Sequence, residues 1–254
     1  MDIFNKNTYY YELPEELIAQ EPVEPRDASR LLVYDRNNKS IEHKIFRDVI
    51  DYMDSGDILV VNNTKVLPAR MFGVKEETNA KIEILLQKRI DLKTWEVLMR
   101  PGKRCKIGTI ISISDELKCK VLSDTDFGGK IVEFIYEGTF EEILLKVGST
   151  PLPQYIKKEC KDPNRYQTVY AKQEGSSAAP TAGLHFTPEL LSKIKDKGIK
   201  VVEVLLHVGL GTFRPVKVDN ILEHHMHTEH YEVSEYACLL INKAKQEGKK
   251  VSCQ

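Results

Sequence analysis

Two apolar segments, the first of them uninterrupted, constrain the fold of this chain more than any other feature. Residues 58–61 (ILVV) and most of residues 199–208 lack the alternation of a half-exposed strand, and such runs are typical of strands buried on both faces of a parallel sheet. Segments 188–197 and 234–244 have apolar residues at helical spacing and are followed by glycines, and residues 249–251 begin a further strand. This succession predicts an α/β domain.

The middle of the chain has a different pattern. We predict short strands at 81–88, 94–100, 109–114, 118–122 and 130–136, separated by turns that contain Gly or Asp. Closely spaced short strands are typical of a small antiparallel barrel or sandwich. The sequence therefore predicts a discontinuous α/β domain, residues 1–71 and 151–254, with a small antiparallel β-barrel domain, residues 72–150, inserted into it.

Composition limits the classes of partner. The 254 residues are 41% hydrophobic and 30% charged with a formal charge of −1, which predicts a soluble protein without a global attraction to nucleic acid or membranes. Five cysteines show no CxxC spacing, and there is neither a signal peptide nor an apolar run of spanning length. These features favour a cytoplasmic location and no membrane partner.

A stretch of small residues lies between the two predicted strands of the α/β domain. Residues 175–183 (GSSAAPTAG) lead to His185 and then to Thr187-Pro188, a helix-start signal. Small residues let the main chain come close to a ligand, so we expect Thr181 and Gly183 to bind substrate. His185 is a candidate for proton transfer. The alternative is a flexible linker, against which Pro180 and the nearby apolar side chains argue.

Polar residues follow both buried strands. Asn62, Asn63, Thr64 and Lys65 come directly after the first, where open α/β sheets place ligands; an ordinary Asn-rich turn is the alternative. His207 ends the second strand and is followed by a segment with small residues that suit close approach to a ligand, namely Gly209, Gly211 and Thr212.

Two clusters of titratable residues have competing interpretations. His224, His225, His227 and His230, with Glu229 among them, suggest zinc, but their spacing is not that of two ligands on one helix face and no cysteine pair is near. We therefore predict no metal. Residues 100–106 carry four basic side chains, including Lys103 and Arg104, and no acid. They are either solvated surface charges or a phosphate-binding loop.

Taken together, the motifs LPEELIAQ, RDASRLLVYD, GDILVVNNTKV, RYQTVY, GSSAAPTAGLHFT, LHVGLGTFRPV and H-x-M-H-x-E resemble the S-adenosylmethionine:tRNA ribosyltransferase-isomerase family of queuosine biosynthesis. The resemblance extends over essentially the whole chain. It implies an α/β catalytic domain interrupted by a β-barrel. The implied reaction transfers and isomerises the ribosyl part of S-adenosylmethionine onto the aminomethyl group of a 7-deazaguanine in a tRNA anticodon. Adenine and methionine leave, and epoxyqueuosine is formed.

The resemblance marks positions for a site. S-adenosylmethionine is then a co-substrate, no cofactor is bound, tRNA is the partner, and the full-length protein is a monomer. The catalytic candidates are His185, His207, His227 and Glu229. The substrate-binding candidates are Arg26, Arg30, Asn62, Asn63, Thr64, Lys65, Arg70, Thr181, Gly183, Gly209, Gly211 and Thr212. The tRNA-binding candidates are Lys103, Arg104, Lys157, Lys158 and Arg165.

Two departures from the family pattern stand out. Lys65 replaces an arginine and so loses its bidentate fork. The family also continues beyond Val251, which implies a C-terminally truncated chain with an incomplete final crossover and exposed apolar surface. Two other classes of function compete with the enzyme: an RNA-binding protein without catalysis, which would use the barrel and its basic loop, and a metal-binding protein built on the histidine cluster.

Overall fold

The structure is a computed structural model that describes residues 2–125, 128–153, 155–158, 162–209, 211, 216–224 and 226–254. It divides into two compact units, one formed by Met1–Lys65 with Pro153–Gln254 and the other by Val66–Leu152. The described residues contain three α-helices: α1 (Phe140–Val147), α2 (Pro188–Asp196) and α3 (Glu235–Gln246). Their strands are β1 (Arg30–Asp35), β2 (Ser40–Ile45), β3 (Ile58–Asn62), β4 (Thr64–Val66), β5 (Arg70–Lys75), β6 (Lys81–Arg89), β7 (Thr94–Arg100), β8 (Ile110–Ser112), β9 (Lys118–Asp124), β10 (Lys130–Ile135), β11 (Gln173–Ser176), β12 (Lys200–Leu206), β13 (Tyr231–Glu232) and β14 (Val251–Cys253).

The first unit is built on a four-stranded sheet in the order β13-β12-β3-β14. Strand β3 pairs in parallel with both β12 and β14, and β13 joins β12 antiparallel. All five residues of β3 are buried. Leu59 and Val61 belong to an apolar cluster that includes residues of α2, whereas Ile58 and Val60 belong to a second cluster with residues of α3. Helical layers on both faces therefore explain the uninterrupted apolar run.

Helix α3 leads into the further strand that the sequence indicates from residues 249–251. Helix α3 begins at the Ser234 cap, whose hydroxyl accepts from the Ala237 N–H, and ends before Gly248. The chain then adds Val251–Cys253 to the sheet as a parallel partner of β3.

The second unit is a closed six-stranded barrel in the order β10-β7-β6-β5-β8-β9. Its strand pairs are antiparallel, and buried residues alternate along β6 and β7, as expected for strands with one face toward the interior. Helix α1 packs Phe140, Ile143 and Leu144 into the same core. The predicted α/β fold with a small antiparallel barrel is confirmed. The predicted barrel start at residue 72 falls inside β5, which begins at Arg70, and Met71 is a buried residue of the barrel core.

Among the described residues, no helix is both long and apolar enough to cross a membrane.

Candidate functional site

A chain of buried hydroxyl groups holds His207 where β12 ends. The His207 Nδ1 lies 2.9 Å from the Thr64 Oγ1, which lies 2.8 Å from the Ser176 Oγ. The Ser176 Oγ also accepts from the Val208 N–H at 2.8 Å. Ser176 and Thr64 are almost fully buried, with 0% and 1% of their surface exposed. Three segments that are far apart in sequence thus meet at one imidazole.

Gly175 makes this arrangement possible. Its φ is +150°, a conformation that side-chain-bearing residues rarely adopt, and a Cβ at this position would collide with the ring of His207. The small-residue stretch therefore does let the main chain approach closely, but the group that it approaches is a histidine of the same protein.

The amides that follow β3 are used to join strands. Asn62 donates to the Leu206 carbonyl at 2.9 Å, and its Oδ1 accepts from the N–H groups of Leu206 and Thr64. Asn63 donates to Glu203, which is also paired with Lys172. Because both asparagines are more than nine-tenths buried, we interpret them as fixing the carboxyl ends of β3 and β12.

A second group of residues faces the segment after His207. The Gly209 N–H donates to the Glu229 Oε1 at 2.7 Å, and the same oxygen lies 3.0 Å from the His227 Nε2. A Cβ on Gly211 would collide with the ring of His227. The structure therefore brings four of the predicted residues together: Gly209, Gly211, His227 and Glu229. Thr212 and His225 lie outside the described residues.

His230 and Glu232 extend the site in a way that the sequence did not predict. The rings of His207 and His230 stack with centroids 5.8 Å apart, and the His230 Nε2 lies 2.9 Å from the Glu232 Oε1. Burial lowers the pKa of His207, proximity to His230 lowers it further, and Glu232 opposes both effects. A neutral imidazole is thereby favoured at position 207.

His185 has its own set of neighbours. Its Nδ1 lies 2.9 Å from the Ser29 Oγ, and its ring packs on Phe46 with centroids 5.1 Å apart. Burial is the main cause of its lowered pKa. Arg26 donates to the carbonyls of Gln167 and Asn164, so this predicted substrate-binding residue serves the main chain of the 3₁₀ helix Pro163–Tyr166 and its C-cap.

Gly183 lies under side chains of the protein itself. A Cβ here would collide with the Tyr170 hydroxyl and the Gln254 amide. The Thr168 side chain also comes close to this position. Tyr166, Thr168 and Tyr170 are all buried, and burial raises the pKa of Tyr166 to about 12. These three residues belong to the RYQTVY motif. The only sequence signal of their burial was the placement of hydroxyl-bearing residues at alternate positions.

The other substrate-binding candidates are more dispersed. Lys65 pairs with Glu174 at 2.8 Å, Arg30 is exposed at the start of β1, and Thr181 is exposed in the 3₁₀ helix Thr181–His185. Arg70 lies in β5 of the barrel unit, where it pairs with Glu83 at 2.7 Å and stacks over Phe72. Arg70 thus lies in the barrel unit, two residues before the predicted domain boundary at residue 72.

The predicted tRNA-binding residues fall into two sets. Lys103 and Arg104 are exposed on the 3₁₀ helix Gly102–Arg104 of the barrel unit. In the first unit, Lys157, Lys158 and Arg165 each form an ion pair, with Glu15, Glu21 and Glu24 respectively. These acids offset the charge that the sequence suggested for the second set.

The described residues contain no group of three or more His, Cys, Asp or Glu side chains arranged to hold a metal ion.

A protein family described as queuosine biosynthesis protein matches residues 6–253. The chain belongs to this queuosine biosynthesis family. The family resemblance indicated by the sequence motifs is thus confirmed.

Members of the queuosine biosynthesis family are similar over nearly the whole chain. The S-adenosylmethionine:tRNA ribosyltransferase-isomerase of Clostridioides difficile (strain 630) is 54% identical over 246 residues, which are 96% of this chain and 72% of that protein. The protein of the same name from Carboxydothermus hydrogenoformans is 55% identical over 242 residues, 95% of this chain and 71% of that protein. The chain also matches a crystal structure of S-adenosylmethionine tRNA ribosyltransferase from Thermotoga maritima, with 35% sequence identity. The match covers 98% of this chain and 68% of the chain in that structure, with a TM-score of 0.42.

Proposed function

We propose that this protein is an S-adenosylmethionine:tRNA ribosyltransferase-isomerase. It transfers and isomerises the ribosyl part of S-adenosylmethionine onto the aminomethyl group of 7-aminomethyl-7-deazaguanine in tRNA, with release of adenine and methionine and formation of epoxyqueuosine. S-adenosylmethionine is a co-substrate in this reaction, and no resident cofactor takes part. The observation that carries the proposal is the identity of more than half of the aligned residues to enzymes of that name.

The first unit has the groups that such a reaction needs. The carbon beside a sulfonium is acidified by the positive charge, so a positioned base can remove its proton and begin the loss of adenine. We assign this task to His227. Glu229 lies at its Nε2, and a carboxylate that accepts the Nε2–H leaves the Nδ1 lone pair as the base.

The backbone supports the same assignment. The Gly209 N–H holds the Glu229 carboxylate, and the close approach of Gly211 limits the positions open to the His227 ring. These contacts orient the acid–imidazole pair beside the carboxyl ends of the parallel strands, where open α/β sheets bind ligands.

The reaction can be tested with the purified chain, S-adenosylmethionine and tRNA that carries the aminomethyl base. We expect equal amounts of adenine and methionine, together with a mass increase of the modified nucleoside, all measured by mass spectrometry. The matched control is the same tRNA with guanine at that position, which should give neither product. Absence of adenine release with the modified tRNA would contradict the proposal, and tight tRNA binding without release would favour the RNA-binding alternative.

The role of His227 can be tested by substitution. His227→Gln should lower turnover by about a hundredfold or more, the usual scale for loss of a general base, while S-adenosylmethionine still binds. His224→Gln removes a nearby histidine outside this pair and should leave turnover within about twofold of the wild type. Near-normal turnover in the His227 variant would remove it from the mechanism.

A further inference from the structure

The outer face of the barrel carries an exposed aromatic ring. Met71 of β5 is buried in the barrel core, whereas the next residue, Phe72, is 56% exposed. The Arg70 guanidinium lies over the Phe72 ring, 5.0 Å from its centroid, and forms an ion pair with Glu83. Because the ion pair fixes the guanidinium, it also limits the movement of an aromatic ring that stays more than half exposed.

The strand register brings this ring close to the basic segment at the end of β7. Phe72 is directly opposite Glu83 of β6, and Glu83 is directly opposite Arg100 of β7. Residues directly opposite one another point to the same side of a sheet, so these three residues share the outer face of the barrel. Two strand spacings, about 10 Å, separate Phe72 from Arg100. Lys103 and Arg104 follow on an exposed 3₁₀ helix.

The charges on this face favour an anionic partner. Glu83 is the acidic residue of the row, and its carboxylate already pairs with Arg70. Residues 100–106 contain four basic side chains and no acid, and Arg100 at the start of this segment is exposed. A partner that covers Phe72 therefore also meets several positive charges.

An aromatic ring beside positive charges matches the chemistry of unpaired nucleotides. Every base has a π-face that can stack on an aromatic side chain, while Lys and Arg attract the phosphates that join the nucleotides. A base-paired stem hides its base faces, and an apolar protein surface would cover the ring without matching the neighbouring charges. Exposed apolar side chains are common on proteins, so the combination of ring and charges is what indicates the partner.

We infer that Arg70, Phe72 and Arg100 form a surface for unpaired nucleotides of RNA, with a base stacked on Phe72 and phosphates held by Arg100 and the rest of the basic segment. The inference rests on the proposed function, which supplies tRNA as the RNA. It adds a contact with bases to the phosphate contacts of Lys103 and Arg104. The whole surface belongs to the barrel unit, whereas the histidines of the candidate site belong to the first unit.

Fluorescence tests the stacking directly. The chain has one tryptophan, Trp95, which is buried in the barrel core, so Phe72→Trp introduces an exposed fluorophore. We expect an unmodified tRNA transcript to quench the added emission with a midpoint that equals the Kd from filter binding. The control is Ile135→Trp, at an exposed position on β10, three strands from β5 in either direction around the barrel. Saturation without quenching in Phe72→Trp, or equal quenching in both variants, would overturn the inference.

Substitutions separate the role of the ring from that of the charge. Phe72→Leu keeps an apolar side chain without a stacking face and should weaken tRNA binding by about tenfold at an unchanged salt slope, whereas Phe72→Tyr should bind like the wild type. Arg100→Gln should reduce the slope of the logarithm of affinity against the logarithm of salt concentration by about one unit. Thermal unfolding of each variant verifies its fold. Wild-type affinity in Phe72→Leu would contradict the inference.

Competition and turnover complete the test. A single-stranded RNA should reverse the quenching in Phe72→Trp at a lower concentration than an RNA duplex of the same length, and equal competition would exclude unpaired nucleotides as the partner. Binding that depends on Phe72 in a protein that releases no adenine would refute the proposed function and leave the inference standing. Adenine release by Phe72→Leu at the wild-type rate, with an unchanged KM for tRNA, would refute the inference and leave the proposed function standing.

Discussion

At the scale of single residues, the site depends on positions where a side chain is absent. Gly175 and Gly211 lie against the rings of His207 and His227, and Gly209 offers its N–H to Glu229. The glycines in this part of the chain therefore shape the positions of the titratable residues.

Gly175→Ala should be destabilising for two reasons. Its φ of +150° is unfavourable for alanine, and the new methyl group would collide with His207. Gly108→Ala is the matched control, because Gly108 also has a positive φ but has open space around it. We expect Gly175→Ala to lower the free energy of unfolding by about 1–3 kcal/mol more than the control, measured by denaturant titration. Equal losses would show that the ring can move aside freely.

Two half-buried histidines predict how stability depends on pH. Burial lowers the pKa of both His185 and His207 below the ordinary value of 6.5, so the unfolded chain binds more protons than the folded chain just below that pH. Stability should therefore fall as the pH decreases from about 7 through 6.5 toward the folded pKa values. Replacing both residues with Gln should flatten this part of the curve in thermal unfolding, whereas the exposed His43→Gln should not. An unchanged slope in the double variant would contradict the assignment.

At the scale of elements, one buried carboxylate connects the start of β3 to β14. Asp57 is 2% exposed, and its oxygens accept from the Asp54 N–H at 2.8 Å and from the Lys250 N–H at 3.0 Å. These hydrogen bonds hold the pKa of Asp57 below its ordinary value, and the bond from the Asp54 N–H has the larger effect. Burial acts in the opposite direction. The side chain thus fixes the turn before β3 and the entry to β14 together.

Asp57→Ala should leave both N–H groups without this acceptor and lower the free energy of unfolding by about 2 kcal/mol or more. In the same variant, the rate of hydrogen exchange at the amides of β14 should increase. Asp54→Ala is the control, since the Asp54 side chain is exposed and pairs with Lys250 at the surface; it should change stability by less than about 0.5 kcal/mol. Unaltered exchange in β14 would mean that the sheet holds this strand without Asp57.

At the scale of the whole molecule, a net charge of −1 leaves tRNA binding to local patches. Lys157, Lys158 and Arg165 each have an acidic partner, whereas Lys103 and Arg104 are exposed on a segment without acidic residues. The barrel unit therefore provides the stronger candidate for phosphate contacts.

Replacing Lys103 and Arg104 together with Gln should weaken tRNA binding and reduce by about two units the slope of the logarithm of affinity against the logarithm of salt concentration. Binding of S-adenosylmethionine should not change. The control replaces Lys118 and Lys146 with Gln, which removes the same charge from the same unit at positions already paired with Glu76 and Glu116. An unchanged salt slope in the test variant would identify the loop as ordinary surface.

The sequence by itself determined the elements and the family. The apolar run of β3, the Thr187 and Ser234 caps and the alternation in β6 are local patterns, and a local pattern is sufficient to specify a strand or a helix. The same locality limits what it can show: the polar residues that follow the apolar run continue into the short strand β4. This outcome cannot be read from spacing alone.

Only the tertiary structure decided how the site is assembled. Thr64 lies more than a hundred residues before both Ser176 and His207 in the sequence. The three residues meet because β3 and β12 pair in parallel and β11 pairs with β4. The sequence marked Thr64 and His207 as polar residues at strand ends, but it could not show that they contact each other. It also gave no sign that Ser176, His230 and Glu232 belong to the same group. Hydrogen bonds between distant segments depend on sheet pairing, and pairing is a property of the folded chain as a whole.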